Sequence, residues 1–229
     1  MTMNVSLVVP IYNEASQIEA LMGRLILLAP DVKDIILVDG GSQDGTYQIV
    51  KDAVQGTSIR LLNSEKGRAH QMNRGAEQSR GSWLFFLHAD TELTINHIRH
   101  ALDEATLHHW GRFDVRLSGK ATGLRMVERM MNWRSRFSGI ATGDQCIFVR
   151  KALFDELGGF ASMPLMEDIE LSKRLCKQHK PVCIDFKVTT SSRKWEADGL
   201  WPTIFLMWKL RFAYWRGVAP EKLVNQYYR

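Results

Sequence analysis

The sequence predicts a single α/β domain: a doubly wound, mostly parallel sheet with helices on both faces and a smaller mixed second half. Three observations predict it. Short apolar runs rich in β-branched residues alternate with amphipathic helical stripes through the first 90 residues, the pattern of parallel strands covered on both faces. Polar turns follow three of those runs, at the carboxyl ends where open α/β sheets bind ligands. The 229 residues suffice for one sizeable core, and no repeat, low-complexity tract or linker divides them.

The elements follow in order. Val5–Val9 is the first strand, ended by Pro10, and Asn13 is expected to cap a helix beginning near Ala15. That helix carries Ile18, Leu21, Met22, Leu25 and Leu28 at spacings of three and four. Next come a strand at Ile35–Val38, a glycine-rich turn, and a helix over 45–54 that Asp44 can cap. A strand at Ile59–Leu62, a helix over 68–79 and the run Trp83–Leu87 complete the first half. The second half opens with a helix over 95–110 carrying His97, His100, His108 and His109. No HExxH accompanies them, so they read as a polar face. Phe113–Leu117 alternates apolar and polar, as an edge or antiparallel strand does. Then follow a helix over 124–137, a short strand at Cys146–Val149, and a helix from Lys151 that Gly158 stops. A helix over 167–178, extended pieces at Val182–Ile184 and Lys187–Thr190, and an aromatic helix after Pro202 end the chain.

Composition narrows the function class. Apolar residues make up 45% and charged residues 24%, the balance of a globular protein rather than a disordered one. No apolar run is long enough to span a membrane, and Asn13 and Glu14 interrupt the N-terminus too early for a secretory signal. The three cysteines, Cys146, Cys176 and Cys183, form no CxxC, which argues against a disulfide framework or a thiolate zinc site. The expected location is the cytoplasm. The net charge of +5 is unevenly spread: residues 1–118 carry −3 and residues 119–229 carry +8. A basic half suits an anionic partner such as a phosphate or an anionic lipid head group. Nucleic acid is not expected, because no binding motif or dense Lys/Arg block is present.

Three strand ends carry polar groups that a core does not need. Tyr12, after the first strand, places an aromatic ring at the crevice mouth, where it can stack on a base. Asp39, first beyond the second strand, suits a ribose or a base, and Gly40 and Gly41 let backbone approach a ligand. Neither GxGxxG nor GxxxxGK[ST] occurs. After the fourth strand stand His88, Ala89 and Asp90; the last suits a divalent cation bridging two phosphates, or a helix cap.

In order and spacing, these turns resemble glycosyltransferase family 2. The matching stretches are VVPIYNE at 8–14, ILVDGGSQDGT at 36–46, GRAHQMNRGAEQSRGSWLFFLHADT at 67–91, GDQCIFVRKALFDELGGF at 143–160 and PLMEDIELSKRL at 164–175. The chain looks most like the subfamily of radical-SAM/selenodomain-associated transferases. The resemblance implies a GT-A fold, with residues 1–91 binding the nucleotide and residues 92–229 the acceptor. It implies transfer of a sugar from a nucleoside diphosphate sugar to an acceptor hydroxyl. Pro10, Tyr12, Glu14, Asp39, Arg68, His88 and Ala89 would meet the donor nucleotide. Asp90 would hold Mn²⁺ or Mg²⁺, and Asp168 would be the general base. Asp144, Gln145, Glu167, Arg193 and Trp195 would meet the acceptor or the diphosphate. Two departures stand out: Gly40 replaces an Asp that commonly addresses uracil, and His88 replaces the first Asp of D-x-D.

These roles match the needs of the chemistry. Neutralising a departing diphosphate calls for a divalent ion, and deprotonating an attacking hydroxyl calls for a placed carboxylate. Asp168 opens a predicted helix, whose dipole favours an anion, and one base without a carboxylate nucleophile indicates single displacement with inversion. Each residue alone also has a plain structural reading: Glu167 and Asp168 as helix-end charge, Asp144 as a turn former, Arg193 and Trp195 as a basic turn with an anchor. A non-catalytic nucleotide-sugar sensor of the same fold is the rival reading. The aromatic helix, with Trp201, Phe205, Trp208, Phe212, Tyr214 and Trp215 among Lys209, Arg211 and Arg216, fits either peripheral contact with an anionic membrane or packing on the domain. The first would suit a lipid-linked acceptor.

Overall fold

The structure is a computed structural model that describes residues 2–227. Its first half alternates as the apolar periods require: β1 (Met3–Ile11), α1 (Ala15–Leu28), β2 (Val32–Asp39), α2 (Thr46–Ala53), β3 (Ile59–Asn63), α3 (Arg68–Glu77) and β4 (Trp83–Phe86). Strands β3, β2, β1 and β4 lie side by side in that order, all parallel. The chain steps outward from β1 to β3 and then returns across β1 to lay down β4. Its topological switch therefore lies at the carboxyl ends of β1 and β4.

Side chains alternate across the sheet as strand geometry dictates. Val5, Leu7, Val9 and Ile11 of β1 pack with the α1 stripe in one buried layer. Val8 faces the other way, against Ala69, Met72 and Ala76 of α3. Gly75 lets α3 approach that closely, because a Cβ there would stand 2.4 Å from Val8 Cγ1.

The second half extends the same sheet. It contributes β5 (Thr91–Glu92), α4 (Ile95–Glu104), β6 (Trp110–Leu117), α5 (Thr122–Ser138), β7 (Phe148–Arg150), α6 (Lys151–Glu156), α7 (Glu167–Gln178) and β8 (Val182–Thr190). Three helices end it: α8 (Arg193–Asp198), α9 (Leu200–Trp215) and α10 (Pro220–Tyr227). The full order is β3-β2-β1-β4-β7-β6-β8-β5, with β7 antiparallel to β4 and β6, and β6 parallel to β8. Among the described residues no helix is long and apolar enough to cross a membrane.

Several expectations need correction. β6 is an interior strand rather than an edge, antiparallel to β7 as one of the two readings had it. Arg112 and Asp114 are buried and paired, and Asp114 also accepts from Arg136 Nη2 at 2.8 Å, whereas Arg116 is exposed, so the alternation reports an ion pair at one polar position and solvent at the other. The two extended pieces are one strand, β8, whose register shifts opposite Phe113–Val115. His108 and His109 leave the helix, which ends at Glu104 before a 3₁₀ turn. His97 is buried, its Nδ1 closing a capping box with Thr94 and its Nε2 against the Lys187 carbonyl at 2.9 Å. Asn13 does not cap α1. The Ala15 N–H donates to Asp44 Oδ2 at 3.0 Å instead, so one turn caps its neighbour's helix. Residues 193–198 form α8 rather than a turn, and α10 carried no expectation.

Candidate active site

A cavity of about 650 Å³ opens at the switch point. Its polar wall is made of strand ends that hold one another. The Asn13 N–H donates to Ser42 Oγ at 2.9 Å, Gln43 N–H to Asn13 Oδ1 at 2.9 Å, and Glu14 N–H to Thr46 Oγ1 at 2.8 Å. Gln71 Nε2 donates to the Ile11 carbonyl at 2.7 Å and the Val38 carbonyl at 2.8 Å, tying the ends of β1 and β2. The departure at Gly40 finds its cause here. A Cβ on Gly40 would lie 3.0 Å from the Gln71 amide, so Gln71 occupies the space an aspartate would use.

Pro10, Tyr12, Glu14, Arg68, His88, Ala89 and Asp90 all line this cavity. Tyr12 OH accepts from Lys66 Nζ at 3.1 Å, and the same ammonium lies 4.3 Å from the ring centroid. Burial, followed by the Asp90 and Asp44 charges, pushes the Glu14 carboxyl up against the pull of Arg193 and Arg68. His88 is buried, its Nδ1 3.3 Å from Asp144 Oδ1, while its Nε2 finds no partner among the described residues. Gly143 admits that ring, since a Cβ there would fall 2.1 Å from Nε2. Desolvation resists charge on Asp144, yet the His88 hydrogen bond and charge hold it below the usual carboxylate range.

Asp39 does not reach the cavity wall. Its Oδ2 accepts the Gly41 and Ser42 N–H groups at 2.9 Å each, and its Oδ1 the Ser42 hydroxyl, so the carboxylate shapes its own turn. Gln145 is likewise buried, closing a capping box on Thr142. Arg193 stands beside the cavity, 3.9 Å from Glu14 Oε2, whereas its neighbours Lys194 and Trp195 line it.

Glu167 and Asp168 open α7 and do not line the cavity. Asp168 Oδ2 accepts the Gly143 N–H at 2.9 Å and Oδ1 the Ile169 N–H at 2.7 Å, so two backbone donors fix the carboxylate beside Asp144. Glu167 is buried, and that burial plus the Asp168 charge pushes its carboxyl up.

The opposite wall comes from helices. α5 contributes Val127, Met130, Met131, Trp133 and Arg134; α9 contributes Thr203, Ile204, Met207, Trp208 and Arg211. Sequence reasoning passed over Arg134, Arg211, Lys66 and Gln71 as site residues. The available signal was the lone arginine in each apolar stripe: Arg134 at Val127+7 and Arg211 at Ile204+7.

For a divalent cation, the cavity offers Asp90 with Glu14 nearby; among the described residues no group of three His, Cys, Asp or Glu converges. That donor set fits Mg²⁺ or a similar hard ion, which keeps water and substrate phosphate as its remaining ligands.

The model of the Glycosyl transferase family 2 matches residues 6–156. An undecaprenyl-phosphate 4-deoxy-4-formamido-L-arabinose transferase from Aeromonas hydrophila is 33% identical over 95 residues, 38% of this chain and 29% of that protein. One of the same name from Pseudomonas fluorescens is 29% identical over 155 residues, 64% of this chain and 46% of that protein. The matches thus span less than half the length of these curated relatives. Among solved structures, the mannosyltransferase PcManGT from Pyrobaculum calidifontis, in complex with GDP-Man and Mn²⁺, superposes with TM-score 0.70 at 18% identity, covering 93% of this chain and 61% of that one. S. aureus TarS 1–349 in complex with UDP-GlcNAc gives 0.66 at 18% identity over 83% and 58%. The shared architecture is the GT-A fold.

Proposed function

The chain belongs to glycosyl transferase family 2, and from that premise we propose that it transfers a sugar, with inversion, from a nucleoside diphosphate sugar to a lipid-linked acceptor at the cytoplasmic face of a membrane. The observation that carries this reading is the cavity itself. One wall of interlocked strand ends bears Tyr12, Arg68 and Asp90, and the helical wall from α5 and α9 is apolar except for Thr203, Arg134 and Arg211. The polar wall suits a nucleotide and its phosphates; the apolar wall suits an acceptor with a hydrocarbon part. Nucleotide sugars bound to structures of the same fold and undecaprenyl-phosphate in the names of two relatives agree with that division.

Each role follows from placement. Tyr12, beside the strand-end turns, stacks on the base, and Arg68 at the start of α3 faces the phosphates. Asp90, assisted by Glu14, would hold Mg²⁺ or Mn²⁺, which when bound neutralises charge on the departing diphosphate. Asp168 takes the proton of the acceptor hydroxyl as the hydroxyl oxygen bonds to the anomeric carbon and the nucleoside diphosphate leaves. Its two backbone N–H bonds set the carboxylate's direction and leave lone pairs to receive that proton. Glu167 beside it is buried, and that burial and the Asp168 charge push its carboxyl up. His88, after β4, holds Asp144 of the turn before β7 at the cavity lining.

A melting-temperature screen with UDP-, GDP- and dTDP-sugars, with and without Mn²⁺, tests the donor assignment. A cognate donor at about 100 times its Kd stabilises the fold by roughly 2.7 kcal/mol. A shift of several degrees for one base, larger with Mn²⁺, is expected. No shift with any nucleotide sugar would overturn the reading.

A further inference from the structure

Two guanidinium groups inside the cavity have no part in the chemistry described above. Arg134 and Arg211 both line it, yet each belongs to an otherwise apolar stripe. On α5 the stripe runs Val127, Met130, Met131, Arg134; on α9 it runs Ile204, Met207, Trp208, Arg211. Spacings of three and four put each arginine on the same helix face as the apolar groups before it. The two ends converge. The Arg211 charge acts on Arg134, both guanidiniums feel the Asp168 and Asp144 carboxylates, and burial together with Arg211 pulls the Arg134 guanidinium down to about 10. It is still a cation at neutral pH. Arg134 Nε and Nη2 are buried and have no hydrogen-bond partner among the described residues.

A desolvated guanidinium with two idle donors is costly unless an anion completes it. Asp144 does not, because its Oδ1 is turned to His88; nor does Asp168, whose oxygens take backbone N–H groups. A planar guanidinium presents paired donors that match phosphate, and two of them match a phosphate carrying more than one charge. The donor's diphosphate has its own cations, Arg68 and Lys66, on the strand-end wall.

We propose that Arg134 and Arg211 form an anion seat for the acceptor, receiving the phosphate of an amphiphile whose hydrocarbon chain lies along the apolar stripes of α5 and α9. The seat explains why both stripes end in arginine. This assignment rests on the sugar-transfer reading for its identification as an acceptor site.

Trp133, Trp195 and Trp208 line the cavity, so intrinsic fluorescence can follow occupancy. The probes are farnesyl phosphate below its micellar concentration, farnesol and inorganic phosphate, each titrated with and without the nucleotide that shifts melting most. Farnesyl phosphate should bind at least tenfold more tightly than either farnesol or inorganic phosphate. Arg134→Gln and Arg211→Gln should each weaken it by about 10- to 100-fold, as expected for loss of a charge-assisted hydrogen bond. Arg134→Lys, which keeps the charge but not the fork, should recover part of the loss. Nucleotide affinity should stay within about twofold in all three variants. Equal binding of farnesol overturns the seat, as does equal binding of inorganic phosphate. Joint loss of nucleotide and farnesyl phosphate in folded variants also overturns it, assigning the arginines to the donor. If the wild type binds farnesyl phosphate through both arginines but no nucleotide, the anion seat stands and the transferase reading fails.

Discussion

The two walls of the cavity are built by different means. The strand-end wall is cross-braced: backbone N–H groups of one turn donate to side chains of the next, and Gln71 bridges β1 to β2. The helical wall has little of this. Its lining is methionine and tryptophan, and Trp133 at 70% and Trp208 at 55% stay exposed. A braced polar wall holds donors and acceptors at fixed positions, which binding of a charged, invariant group requires. Thioether and indole side chains adapt to shape, which suits a flexible chain. On the proposed function, the asymmetry would make donor recognition preorganised and leave acceptor recognition plastic except at Arg134 and Arg211.

The comparison breaks most severely at Asp90. Asp90→Ala removes the carboxylate that the strand-end wall offers to a cation and leaves the cross-braces in place. Metal-dependent turnover should fall by about 10³-fold or more, the several kcal/mol that charge neutralisation of a leaving group supplies. Mn²⁺ should no longer raise donor affinity, while the melting temperature of the unliganded protein stays within a degree or two. Unchanged Mn²⁺-dependent donor affinity in the variant would remove Asp90 from the metal role.

Asp168→Asn tests the junction of the walls. Transfer should fall by about 10²- to 10⁴-fold, the worth of a general base, with donor affinity near that of the wild type. The amide turns one accepting oxygen into a donor facing a backbone N–H, so a stability loss of about 1–3 kcal/mol should accompany it. Denaturant unfolding separates that loss from the kinetic one. Transfer at the wild-type rate would assign proton removal elsewhere.

The same asymmetry governs what could be read from the chain. Tyr12, Arg68 and Asp90 were legible because a strand's end fixes a residue's place in a parallel sheet. α7 was legible because its first turn is acidic and its stripe regular. Arg134 and Arg211 were not. Each sits mid-helix, and only the packing of α9 against α5, through Leu124, Val127 and Ile204, makes them neighbours. Gln71 hid for a related reason: its partners are carbonyls of two other strands. β6 misled in part, because Asp114 imitates a solvent position while pairing with Arg112 and Arg136, although Arg116 does face solvent.

The smallest expected effect concerns the outer surface of the plastic wall. α9 packs on the domain through Thr203, Ile204 and Leu210, yet leaves Trp201, Phe205, Trp208, Phe212 and Trp215 exposed. At 100° per residue those five rings fall within roughly 80° of arc, and Lys209 and Arg216 border it on one side. Arg211 spoils the basic face in the sequence, but it points into the cavity, so the outward charges do align. A stripe of rings edged by cations fits a membrane interface carrying anionic lipid. Each basic residue near such a surface contributes about 1 kcal/mol, so Lys209→Gln with Arg216→Gln should weaken binding to phosphatidylserine vesicles by about 30-fold. Co-sedimentation at rising salt measures it, and binding should fade as the Debye length shrinks. Neutral vesicles should retain little of the protein at any salt. If anionic vesicles fail to bind it at low salt, the exposed stripe meets some other surface, and the proposed lipid-linked acceptor would have to leave its membrane to reach the cavity.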